Sequence, residues 1–173
     1  MSNFEKAFEE LIGNEGGFKC EATDRMDWTG GQVGKGVLVG TKYGISAGTY
    51  PHLDIKNLRL EDAKKIYKNE WWDQFQGDKL PYELAFQIFD SEVNHGHGMG
   101  VKFLQKALNF KPEDVDGKLG RITLATIDGV DEDKIILRFL AMRMKFFTAI
   151  KTWNTYGRGW ANRVADNMLA ATE

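Results

Sequence analysis

The chain has 173 residues, 42% hydrophobic and 28% charged, enough for one domain, or a domain with a small satellite, to bury its own core. A net charge of −2 provides no overall attraction to nucleic acid or membranes, and the single cysteine, Cys20, excludes an internal disulfide. No stretch reaches the roughly 18 apolar residues of a membrane span, and the first residues lack the basic-then-apolar pattern of a secretion signal.

Phe4, Ala7, Phe8, Leu11 and Ile12 recur at helical spacing, with Glu5, Lys6, Glu9 and Glu10 on the other side, and predict a first helix. Ser2 and Glu5 form the signature of a capping box at its start, and Gly13, Gly16 and Gly17 are stop residues. Continuing the rotation of roughly 100° per residue places Glu15 on the apolar stripe, in line with Phe4, Phe8 and Leu11. A carboxyl group against an apolar wall resists ionisation, so it can hold a proton near neutral pH and donate it. The same pattern also suits a glutamate that caps a loop.

Residues 19–48 have no helical periodicity. Short β-prone pieces such as Val37-Leu38-Val39 alternate with Gly30-Gly31, Gly34, Gly36, Gly40, Gly44 and Gly48, which predicts a small hairpin or three-stranded sheet. A sheet of that size needs helices to pack on, with a groove between. After Pro51 the chain turns helical. Leu60, Ala63, Ile66, Tyr67 and Trp71 predict a helix over about 59–74, with Trp71 in the core and Trp72, off the stripe, free to stack on a ligand. Tyr43 and Tyr50 are further stacking candidates.

Pro81 opens the next helix, which ends near Gly96 and carries Asp90, Glu92 and Asn94. Asn94 could hydrogen-bond a ligand, whereas Asp90 reads first as structural. Further helices follow through Val101–Leu108, after Asp116-Gly117, over 134–151, and from about 160 to 170. The 134–151 segment has no acidic residue and is apolar nearly all round apart from its cations, which suits the centre of a bundle. A secondary contact with anionic membrane is also compatible with it. Arg143 lies opposite Lys134, Arg138 and Lys145, so it is expected to pair internally or line a cleft. The fold class is α+β, mostly helical, with a small β lobe and a helical bundle.

Eight residues separate Glu15 from Asp24, and the β region returns at Thr41-Lys42-Tyr43-Gly44-Ile45-Ser46. An acid on a helix end facing a carboxylate and a hydroxyl on a β lobe is what glycosidic cleavage requires. One group protonates the leaving oxygen, and another activates water or stabilises the oxocarbenium-like transition state. Two other readings compete: a zinc amidase or peptidase using His95, His97 and Glu92, and a binding module without catalysis. A thiol nucleophile at Cys20 has no histidine near it in sequence.

Several motifs fall in order along the chain: Glu15-Gly16-Gly17-Phe18, Lys42-Tyr43-Gly44-Ile45-Ser46, Ala63-Lys64-Lys65-Ile66-Tyr67 with Trp72-Asp73, Phe89-Asp90, and Val93-Asn94-His95-Gly96. Together they resemble the family-108 glycoside hydrolases, N-acetylmuramidases that are commonly endolysins of bacteriophages infecting Gram-negative bacteria. Gln105-Lys106-Ala107-Leu108, Asp116-Gly117 and Tyr156-Gly157-Arg158-Gly159-Trp160 are similar to a segment labelled a peptidoglycan-binding region in such proteins.

The resemblance implies a single lysozyme-like domain over 1–173, with a catalytic part to about residue 95 and a helical part over 96–173. It also implies cleavage of the β-1,4 bond between N-acetylmuramic acid and N-acetylglucosamine without metal or cofactor. Glu15 would be the acid, with Asp24 and either Thr41 or Ser46 positioning water or steadying charge. Relatives pass from the aspartate through a short Pro-Gly-Gly turn, whereas residues 25–40 here make a longer excursion. The partner would be peptidoglycan glycan strands, and the protein a monomer. It would accumulate in the host cytoplasm and meet the wall after the inner membrane is breached.

Overall fold

Ser2 and Glu5 close the start of the first helix, α1 (Asn3–Ile12), by reciprocal bonds: Ser2 N donates to Glu5 Oε2 at 2.8 Å, and Glu5 N to Ser2 Oγ at 3.2 Å. Phe4, Ala7, Phe8 and Ile12 are buried along one face, as the spacing requires. The computed structural model describes residues 1–12 and 17–172. These belong to two compact units, Met1–Glu70 and Trp71–Glu173.

In the first unit, β1 (Thr41–Lys42) pairs antiparallel with β2 (Ile45–Ser46), Thr41 opposite Ser46 and Lys42 opposite Ile45. The connecting residues Tyr43 and Gly44 have φ of 53° and 75°, a two-residue turn of the kind whose twist suits a hairpin. The Tyr67 hydroxyl, on α2 (Leu60–Tyr67), donates to the Tyr43 carbonyl at 3.1 Å. A Cβ at Gly44 would lie 2.4 Å from that hydroxyl oxygen, so only glycine fits. Tyr67 also meets Phe8 edge-on, with ring centroids 5.6 Å apart.

The β lobe is thus present but very short. Beyond the two strands it holds, among the described residues, single bridges, Lys19 to Thr41 and Trp28 to Leu38. Gly31, Gly34, Gly36 and Gly40 all have positive φ, which breaks the excursion into turns before a ladder can extend.

The second unit is helical: α3 (Tyr82–His95), α4 (Met99–Ala107), α5 (Arg121–Ile127), α6 (Glu132–Ala149) and α7 (Trp153–Ala170). As its composition predicts, α6 is the centre, packed against α3, α4 and α7 through Ile135, Ile136, Phe139, Leu140 and Phe147. The buried carboxylate of Glu92 holds the start of α4, accepting from Gly98 N (2.6 Å) and Val101 N (3.2 Å). Burial pushes this carboxyl above its usual range, against the pull of those N–H groups. The last helix starts at Trp153, well before the predicted 160. Gly157 is not a break: a Cβ there would lie 2.5 Å from the Trp153 indole, so the glycine lets that ring lie along the helix. No described helix is long and apolar enough to cross a membrane.

Candidate active site

At the end of a 3-10 turn (Arg25–Asp27), Asp27 is 2% exposed and its carboxylate receives two donors. Glu21 N reaches one oxygen at 2.6 Å and the Thr41 hydroxyl reaches the other at 2.6 Å. Its carbonyl accepts from Val39 N (2.9 Å) and Gly40 N (3.0 Å), so one residue ties both ends of the long excursion together. Thr41 is also clamped through its backbone, exchanging bonds of 2.8 Å in both directions with Lys19. Gly40 permits that approach, since a Cβ there would lie 2.4 Å from the Lys19 carbonyl oxygen. Because Thr41 gives its proton to Asp27, its oxygen is left as an acceptor.

Asp24 is exposed and caps the same turn, its Oδ1 accepting from Met26 N at 2.8 Å. Ser46 lies opposite Thr41 but is buried, with its hydroxyl 3.1 Å from that of Thr49. Tyr43 is half-buried with the Lys42 ammonium 5.3 Å from its ring centre. Tyr50 is half-buried and donates to Glu70 at 2.6 Å. Glu15, the expected acid, lies outside the described residues. Asp27 was not among the residues picked from the sequence. Its signature is the bond to Thr41, which spans fourteen positions and leaves no trace in local spacing.

The two tryptophans exchange the places predicted for them. Trp72 is fully buried, its indole N–H bonded to Asp78 at 2.9 Å and its ring edge-on to Phe75 and Phe89, and so it cannot stack on a sugar. Trp71 is the partly exposed one, stacked on His97 with centroids 4.1 Å apart. The cause is a π-helical turn, Lys68–Trp72, which takes up an extra residue and rotates the stripe by one position.

Asn94 is exposed, with its amide donating back to the Asp90 carbonyl at 2.7 Å. Asp90 is structural. It is 2% exposed and accepts from Arg163 Nε (2.9 Å) and Asn167 Nδ2 (3.0 Å), while also pairing with the fully buried Arg143. Burial alone would raise the Asp90 carboxyl, but the Arg143 and Arg163 charges hold it below its usual range.

The zinc reading needs His95, His97 and Glu92 to converge. Instead, His95 Nε2 accepts from Arg143 Nε at 3.3 Å, His97 lies on Trp71, and Glu92 caps α4. No group of three or more metal-ligating side chains occurs among the described residues.

The Glycosyl hydrolase 108 family model matches residues 8–96. The chain belongs to glycosyl hydrolase family 108. The structure of SagA from Brucella abortus is similar over nearly its whole length, with 27% identity and a TM-score of 0.79, covering 98% of this chain and 93% of SagA. No curated protein matches the chain.

As a family-108 glycosyl hydrolase the protein is a glycosidase, with peptidoglycan as the substrate the family implies. The matched segment contains every candidate site residue, Asp27 included, and ends where α3 gives way to α4.

Proposed function

We propose that this family-108 hydrolase cleaves the β-1,4 bond between N-acetylmuramic acid and N-acetylglucosamine, with Glu15 as general acid. Thr41 holds the attacking water, and Asp24, whose second carboxylate oxygen has no partner among the described residues, steadies the positive charge that develops on the sugar ring. The observation that carries this reading is the Thr41 hydroxyl, turned into an acceptor by Asp27. It stands on a strand bonded to Lys19, four residues after Glu15 in the sequence. Ser46, buried and engaged by Thr49, is the less suitable of the two hydroxyls. In its biological setting the protein is a phage endolysin, a monomer that accumulates in the host cytoplasm and degrades periplasmic peptidoglycan once the inner membrane is breached.

The test is mass spectrometry of purified peptidoglycan digested by the wild type and by Glu15→Gln. Reducing N-acetylmuramic ends are expected from the wild type, with a fall of about 10²–10⁴-fold in the isosteric variant, which keeps the shape but loses the proton donor. Anhydro ends would make the enzyme a lytic transglycosylase. Freed stem peptides would make it a peptidase or amidase, and an absence of products would leave a binding protein.

A further inference from the structure

The aromatic side chains first expected to meet a ligand are already occupied. The Lys42 ammonium lies over Tyr43, Tyr50 donates to Glu70, and Trp72 is enclosed in the second unit. Phe4, Phe8 and Tyr67 are core residues of the first unit. Among its described residues that leaves Phe18 and Trp28. Phe18 belongs to the Glu15-Gly16-Gly17-Phe18 motif and sets its ring against Gly40, where an added Cβ would lie 2.9 Å from Cε2. Trp28 stands instead in the long excursion over residues 25–40, where the resembling sequences have a short turn.

Trp28 is half-buried and held from several sides. Its indole N–H donates to the Ala22 carbonyl at 2.9 Å, its own carbonyl accepts from Gly31 N at 2.8 Å, and it is bridged to Leu38. The arm beyond it is braced internally. Thr29 N donates to the Val37 carbonyl (2.9 Å), Gly30 N to the Lys35 carbonyl (3.0 Å), and Val37 N to Thr29 Oγ1 (2.9 Å). Yet the Trp28 ring meets no other aromatic ring and no cation among the described residues. A large ring fixed in one orientation, partly exposed and unstacked, is a platform formed before any ligand arrives, which lowers the cost of binding. Its place in the chain also fits. Trp28 directly follows Asp27, with their Cα atoms about 3.8 Å apart, and Asp27 holds the Thr41 hydroxyl. One short segment ties all three, Lys19 to Thr41, Glu21 to Asp27 and Ala22 to Trp28.

We propose that Trp28 is a substrate-binding residue, the face on which one sugar ring of the glycan stacks beside the bond to be cut. The indole N–H stays on Ala22, so recognition uses the ring face alone. The sugar rests on the glycosidase activity, and its closeness to the reacting bond rests on Thr41 holding the water. Because the excursion is this chain's departure from the resembling sequences, the platform sets its grip on glycan apart from theirs.

The experiment titrates the full-length, isotope-labelled Glu15→Gln chain with a peptide-free tetrasaccharide of alternating N-acetylglucosamine and N-acetylmuramic acid, followed by the tryptophan indole N–H resonances. The Trp28 resonance is the one missing from a Trp28→Phe spectrum. It is expected to shift saturably, while that of buried Trp72 stays in place. Trp28→Ala should weaken binding by about threefold to tenfold, the worth of one aromatic stack. Trp28→Phe keeps a ring but loses the bond to Ala22, and should stay within about twofold of the parent. Circular dichroism reports whether each variant keeps its fold. No saturable binding at millimolar sugar, binding that leaves the Trp28 resonance unmoved, or a Phe variant as weak as the Ala variant would overturn the proposal. The last outcome would make Trp28 a structural tie. Failure of the muramidase reading shows separately, as a wild type that leaves the tetrasaccharide uncut while the Trp28 resonance still shifts.

Discussion

Asp27 and Thr41 form the smallest unit on which the proposed reaction rests. An ionised carboxylate can accept from both Glu21 N–H and Thr41 O–H, but an asparagine amide presents one acceptor and one donor end to these two donors. Asp27→Asn is therefore expected to cost about 1–3 kcal/mol of stability, the penalty of a buried donor left unpaired, measurable by urea unfolding. It also frees the Thr41 hydroxyl to rotate. If the pair acts as one device, Asp27→Asn and Thr41→Val should each slow release of reducing ends, and the double variant should be little worse than either alone. Losses that simply add would show that Asp27 does not act through Thr41. Thr41 was legible because it opens a recognisable motif. Asp27 was not, because Asp24 occupies the expected spacing and only the folded excursion brings Asp27 under the strand.

At the scale of elements, the period of 3.6 served well wherever the helix stayed regular. It located the buried face of α1, and composition gave the central place of α6. It failed at Lys68–Trp72, where a π turn inserts a residue and transfers burial from Trp71 to Trp72. The consequence can be measured. Trp72→Ala should cost about 3–5 kcal/mol as a large core deletion, whereas Trp71→Ala should cost about 1 kcal/mol, the worth of one aromatic stack. Equal losses in thermal or denaturant melts would mean that the extra turn does not set the register. The last helix misled in the opposite sense. The sequence predicts its start at about residue 160, yet it begins at Trp153, and Gly157 is a packing position for the Trp153 ring inside a continuous helix.

At the scale of the whole molecule, the second unit is built around buried charge, with Asp90 of α3 held by Arg143 of α6 and by Arg163 and Asn167 of α7. His95 sits beside this cluster among Phe103, Phe146 and Phe147. Burial, with the nearby Arg143 charge, pulls the His95 imidazole down from 6.5 to about 4. The folded protein thus favours neutral histidine, while the unfolded chain takes up a proton once pH falls below about 6.5. Stability should decline from about pH 6.5 to 4 on this account. Asp90 acts in the same direction at lower pH: its stabilising charge is present above the ordinary carboxylate range and is lost as pH falls through its depressed value. Urea midpoints between pH 7 and 4.5 should therefore fall, and His95→Gln should flatten the decline. An unchanged slope in that variant would assign it to other groups.

The sequence by itself determined the helical period, the capping box at Ser2 and Glu5, the Tyr43-Gly44 turn and the ordered motifs of family 108. Each of these depends on residues within a few positions of one another, where spacing and backbone sterics act directly. Tertiary structure alone decided that Asp27 orients Thr41, that Trp72 replaces Trp71 in the core, and that Asp90 pairs with arginines about fifty and seventy positions away. Those outcomes depend on which distant groups share a desolvated space. A buried polar group must find its partner wherever the fold supplies one.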